Sequence, residues 1–135
     1  GILDSITSNP DYEITGIYLT GYASPEGSYA QNEVLSRDRT RALRNYLLRR
    51  YSFPENLYHV DWRGEDWIEL KRLILLYGMP DEERVLSIME NYSVFEGREK
   101  RLMDLNNGKP YRYMMKHFFP ELRRVDYKIT YKVIK

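Results

Sequence analysis

The chain contains no cysteine, which excludes disulfides and thiolate metal sites and suits either the cytoplasm or a periplasm. Histidine is scarce too, with His59 and His117 alone. His59 has no second ligand at metal spacing, and neither histidine has a nucleophile beside it to activate. Long apolar runs are missing: nothing approaches the roughly 20 residues of a membrane span, and no signal segment is present. No direct membrane insertion by this segment is expected. An excess of one charge is also lacking, since Lys+Arg 21 against Asp+Glu 20 leaves a formal +1. That balance gives no electrostatic reason for nucleic acid or an anionic membrane as partner. Gly108-Lys109-Pro110 lacks the upstream glycine and the following Ser/Thr of a phosphate loop. Carboxylates are abundant, and pairs of them at random spacing in a charged chain are weak evidence for acid–base work. No catalytic residue, metal or cofactor is expected, and the protein is read as a non-enzyme.

What is present is a 135-residue stretch free of low complexity, enough chain to bury the core of a single domain. Its most informative part runs from Gly16 to Tyr51. Ile17, Leu19 and Gly21 alternate with Tyr18, Thr20 and Tyr22, the period of a strand. A polar loop, Ala23-Ser24-Pro25-Glu26-Gly27-Ser28, follows with Pro25 and Gly27 as turn residues. Ser28, three residues before Gln31, is a candidate helix cap, and Ser36 is a second.

The helix after that loop sets a puzzle. At a hundred degrees per residue, Leu35, Ala42, Leu43 and Tyr46 share one stripe, opposite Arg37, Arg41 and Arg44. Arg39 falls inside the apolar stripe. A buried unpaired guanidinium is costly, so Arg39 is either a structural arginine paired inside the fold or a ligand contact at the edge of the core.

The remaining chain reads in order. Residues 1–6 suit a short amphipathic helix stopped by Asn9-Pro10. After a loop at 52–56, Leu57 to Arg63 alternates as a second strand before Gly64, completing a βαβ unit with parallel pairing. Residues 66–119 form a helical block. Trp67, Leu70, Leu73, Ile74 and Tyr77 suit one helix ended by Gly78, and Pro80 with acids opens another that presents Val85, Leu86, Met89 and Tyr92. A third run from Phe95 to Leu105 stops at Asn106-Asn107-Gly108, and Tyr111, Met114, Met115 and Phe118 form a fourth before Pro120. The Met and aromatic residues serve either core packing or a surface for a protein partner. From Arg124 to Ile134 strict alternation predicts an antiparallel strand with Val125, Tyr127, Ile129, Tyr131 and Val133 on a buried face. The expected fold is a two-layer α/β (α+β) sandwich: a mixed sheet with a βαβ unit and an antiparallel C-terminal strand, helices on one face.

Gly21-Tyr22-Ala23-Ser24-Pro25-Glu26-Gly27, then Asn32, Leu35-Ser36 and Arg39, resembles the OmpA-like C-terminal domain, whose pattern runs G-x-T-D-x-x-G, N, L-S-x-x-R-A. Leu122-Arg123-Arg124-Val125-Asp126 resembles that family's N-R-R-V-E. The resemblance covers residues 1–65 and 120–135, and the family crosses the interval between them in about half the length, so 66–119 reads as an insertion. It implies a domain cut from a longer outer-membrane or envelope protein, periplasmic, from a Gram-negative bacterium. It also implies non-covalent binding of peptidoglycan, with the motif arginine at Arg39 and the motif acid gripping diaminopimelate of the stem peptide. Ser24 stands at the acid's position and Leu122 at the asparagine's. Ser24, Glu26, Gly27, Asn32 and Arg39 are the candidate ligand residues, with Glu26 offering a carboxylate two residues on. The alternative is a domain of this fold that has lost the ligand and serves a surface assembly structurally or through a protein partner on the insert.

Overall fold

The alternation that begins at Gly16 belongs to a longer central strand, β1 (Tyr12–Ala23). In this computed structural model, which describes residues 1–134, β1 leads through the polar loop into α2 (Tyr29–Arg50) and then to β2 (Tyr58–Glu65). β2 lies parallel to β1 with Leu19 opposite Val60. The C-terminal strand β3 (Arg124–Val133) lies antiparallel on the other side, with Leu19 opposite Tyr127. The sheet order is β2-β1-β3, and the helices pack on it to make an α+β two-layer sandwich. A short α1 (Ile2–Thr7) precedes β1. One apolar cluster, built on Ile14, Ile17, Leu19, Leu47 and Tyr58, joins the sheet to α1 and α2.

The segment between the second and third strands has a core of its own. It forms α3 (Trp67–Tyr77), α4 (Glu82–Asn91), α5 (Arg98–Asp104), α6 (Lys109–His117) and α7 (Phe119–Leu122). Leu70, Ile74, Val85, Leu102, Met114 and Phe119 meet at its centre. Gly78 ends α3 at φ +74, and Asp66 caps its start by accepting the Glu69 N–H at 3.1 Å. Met114 is buried and Met115 exposed, so the block uses one methionine of this pair for packing. Tyr77 and Phe95, counted among the helical apolar positions, are exposed instead. Tyr77 is the last residue of α3 and Phe95 lies in the turn between α4 and α5, where the chain has left the core.

Four sequence expectations need correction. The buried face of α2 is not the leucine stripe but Asn32, Ser36, Thr40 and Leu47, while Leu35, Ala42 and Tyr46 are exposed and Leu43 is half-buried. Close approach is the reason. α2 crosses β1 at Gly21, where an added Cβ would stand 2.5 Å from the Ser36 carbonyl oxygen, so only small side chains fit on the helix there. Their hydroxyls are satisfied: Thr40 donates to the Ser36 carbonyl at 2.6 Å, and Ser36 accepts from the Gly64 N–H at 3.2 Å. Ser36 is therefore an interior contact and no cap, since Ser28 starts the helix by accepting the Gln31 N–H at 3.1 Å. Arg39 turns outward with the leucine stripe and is exposed, which removes its reading as an internal strut. Finally, only Val125 and Ile129 of the inward row of β3 are even partly covered, because β3 is the outer strand and α2 lies over β1 and β2.

Candidate functional site

The loop after β1 is fixed from both ends. At its start the Asp66 N–H donates to the Ala23 carbonyl at 3.1 Å, and at its end Ser28 caps α2. Gly27 between them has φ +85, a left-handed conformation that a side chain would strain. The loop thus holds Ser24 and Glu26 at the carboxyl end of the central strand, where open α/β sheets bind their ligands.

A groove of about 300 Å³ opens there, lined by Ala23, Ser24, Glu26, Leu35, Arg39 and Arg123. Arg123 reaches in from the segment joining α7 to β3. Its Nε donates to Ser24 Oγ at 3.2 Å, its Nη2 pairs with Glu26 Oε1, and Ser24 Oγ donates to the same Glu26 oxygen at 3.3 Å. Ser24 is buried and Glu26 half-buried in this triangle. Arg39 enters from α2 and, among the described residues, makes no ion pair. Two guanidinium groups and one carboxylate give the groove a net positive charge, and Glu26 is already engaged by Arg123. The group left to receive an anion is Arg39, whose planar fork suits a carboxylate.

Of the five sequence-predicted residues, Ser24, Glu26 and Arg39 line the groove; Gly27 and Asn32 do not. Asn32 is buried and spends its amide protons on the Glu26 carbonyl at 2.9 Å and on Glu65 Oε2 at 2.7 Å. It shapes the loop from beneath. Arg123 is a site residue that the sequence reading misses. Its signal is the arginine pair before the last strand: consecutive residues project to opposite sides, and Arg124 takes the other side, 4.2 Å over the Tyr22 ring and paired with Asp66 and Asp126.

Beneath the loop lies a layer of acids contributed partly by the helical segment between β2 and β3. Glu65 accepts from Asn32 and from Trp67 Nε1 at 3.0 Å, yet burial holds its pKa above the ordinary value. Glu99 on α5 faces the Gly27 backbone and the Tyr111 hydroxyl, and its Oε2 is buried without a hydrogen-bond partner. Burial first, then the neighbouring charges of Glu65 and Glu26, push the Glu99 carboxyl up to about 7 from 4.5. Between those values the folded protein keeps a proton that the unfolded chain has released, so stability should fall as pH rises from 4.5 to 7 and level off above. Glu65 acts in the same direction. Glu99→Gln should raise the melting temperature at pH 8, change it little at pH 4.5 and flatten the slope between. Melts across that range check this, and an unchanged slope would show that Glu99 is not the group responsible.

A larger cleft lies elsewhere, about 840 Å³ between α3, α6 and β3 with Glu69, Arg72, Tyr113, His117 and Asp126 in its walls. Its guanidinium groups are already matched, Arg72 with Glu69 and Arg124 with Asp126, and the unpaired charge in its wall is the Glu121 carboxylate, which cannot receive an anion. The smaller groove, with its free guanidinium, is therefore the candidate site. Among the described residues no group of three or more potential ligands is placed to hold a metal ion, and no helix is long and apolar enough to cross a membrane.

No protein-family model matches the chain. Over 49 residues it is 39% identical to outer membrane protein 41 of Porphyromonas gingivalis (strain ATCC BAA-308 / W83), a stretch that makes up 36% of this chain. The match spans 12% of the length of that protein. This partial similarity to an outer membrane protein points to the cell envelope.

Proposed function

We propose that the chain is a non-catalytic, periplasmic binding module of an outer-membrane or surface protein, and that its groove takes a peptidoglycan stem peptide. Arg39 receives a carboxylate of diaminopimelate, and Glu26 receives the amine in place of the acid absent at Ser24. Arg123 holds Glu26 for that task, while Ser24 completes the triangle. The observation that carries this reading is the unpaired guanidinium of Arg39 beside a fixed carboxylate in one groove. An ammonium–carboxylate pair and a guanidinium–carboxylate pair together match a zwitterionic amino-acid centre. The partial likeness to an outer membrane protein is consistent with that setting.

Sedimentation with purified sacculi tests it. The wild type is expected in the pellet, and Glu26→Gln, which removes the charge but keeps the size, is expected to shift most of the protein to the supernatant. Wild-type protein that stays soluble would overturn the reading.

A second reading is a structural or protein-interaction domain that acts through the insert. Its support is the exposed apolar side chains of Ile68, Leu75, Leu76 and Tyr77 on α3. Under it Arg39 contributes to no binding, so the sedimentation result separates the two.

A further inference from the structure

α3 carries aliphatic side chains that the core does not use. Ile68 and Leu76 are 86% and 59% exposed, on the side of the helix away from the buried Leu70 and Ile74. Arg72 stands four residues from each, so the three make one stripe along the helix. Two clefts open beside it. The smaller, about 420 Å³, has Tyr22, Arg63, Trp67 and Ile68 in its lining, and the larger, about 840 Å³, has Arg72, Tyr77, Tyr113 and Glu121. Glu69 and Arg124 line both, so the two join into one trough.

An apolar stripe alone would fit many partners, and the charges in the trough narrow the choice. Arg63 is paired with Asp61, Arg72 with Glu69, and Arg124 with both Asp66 and Asp126. No guanidinium is left to receive an anion. Arg124 is matched twice, and Glu121 is an exposed carboxylate with no ion pair among the described residues. The lining therefore keeps a surplus of negative charge, which favours a cation. Aromatic rings favour the same occupant. Arg124 lies 4.2 Å over the Tyr22 ring and Arg98 4.7 Å over that of Trp67, while Tyr77, 71% exposed in the wall of the larger cleft, carries no such cation. Ile68 and Leu76 are about 12 Å apart along the helix, so covering both takes a segment of chain and not one side chain.

We propose that the trough along α3 docks a basic, apolar segment of a partner protein. An arginine or lysine side chain enters the larger cleft toward Glu121, and its aliphatic neighbours cover Ile68 and Leu76. The inference rests on the reading of the helical segment as an interaction surface and adds the chemistry of the partner. It is independent of the stem peptide, because the trough and the loop groove share no lining residue.

Selection of phage-displayed random dodecapeptides on the folded protein tests it. The expected consensus sets arginine or lysine among aliphatic residues. Synthetic peptides of that consensus, followed by fluorescence anisotropy, should bind about ten-fold more weakly to Glu121→Lys and to the double variant Ile68→Ser with Leu76→Ser, and should lose affinity as salt rises. Arg39→Ala should bind them as the wild type does. All three substituted positions of the trough are exposed, so these variants should melt with the wild type. Failure to enrich any peptide overturns the proposal together with the interaction reading. An acidic or uncharged consensus weakened by the double variant overturns the basic partner and leaves the surface standing. Basic peptides that ignore both variants also overturn it, since they then bind elsewhere.

Discussion

Gly21→Ala is expected to cost about 3 kcal/mol and to lower the melting temperature by about 10 °C, although the change adds one methyl group. The new Cβ would overlap the Thr40 hydroxyl oxygen and stand 2.5 Å from the Ser36 carbonyl oxygen. The hydroxyl could rotate away at the expense of its own hydrogen bond, but the carbonyl belongs to the helix backbone and cannot. Relief requires α2 to lift from β1, which would open the cluster around Leu19 and Leu47 and tilt the helix that carries Arg39. Thr40→Ala in the same chain should recover less than half of the loss, because the backbone contact remains. Chemical denaturation of the three proteins checks this. A single mutant within about 1 kcal/mol of wild type would show that the helix and strand are not in close register.

Arg39→Ala should do the opposite: leave stability alone and remove binding. Its side chain is exposed and, among the described residues, has no salt bridge to lose, so the melting temperature should shift by no more than about 1 °C. A charge-assisted, forked hydrogen bond to a ligand carboxylate contributes about 1.5–3 kcal/mol, so affinity should fall about ten- to a hundred-fold. A marked loss of stability would return Arg39 to an internal role, contrary to its position at the groove.

How much of this was legible in the sequence depended on distance along the chain. Strand, loop and helix from Tyr12 to Arg50 are one local unit, and the alternation of Ile17, Leu19 and Gly21 with the turn residues after Ala23 marks it. Ser24, Glu26 and Arg39 reach one groove through that unit alone. The face of α2 was not legible by counting apolar residues, since burial there follows size and not hydrophobicity. Gly21 on the strand with Ser36 and Thr40 four apart on the helix was the pattern to read. Alternation in β3 identified its apolar row correctly, but a period of two says nothing of whether a helix covers that row. Arg123 and Glu99 approach the loop from 97 and 73 residues beyond Glu26, the separations 123 − 26 and 99 − 26. Apart from the arginine pair at 123–124, local spacing carries no trace of such contacts. They exist because the helical segment after β2 returns the chain to the groove before β3 begins.

The most direct measurement is a calorimetric titration of the folded domain with a diaminopimelate-containing muropeptide, run beside folded Arg39→Ala. Saturable heat at one ligand per groove from the wild type, lost or strongly weakened in the variant, is the result expected of a carboxylate held by Arg39. No heat from a folded wild type, or equal affinity in both proteins, would contradict it.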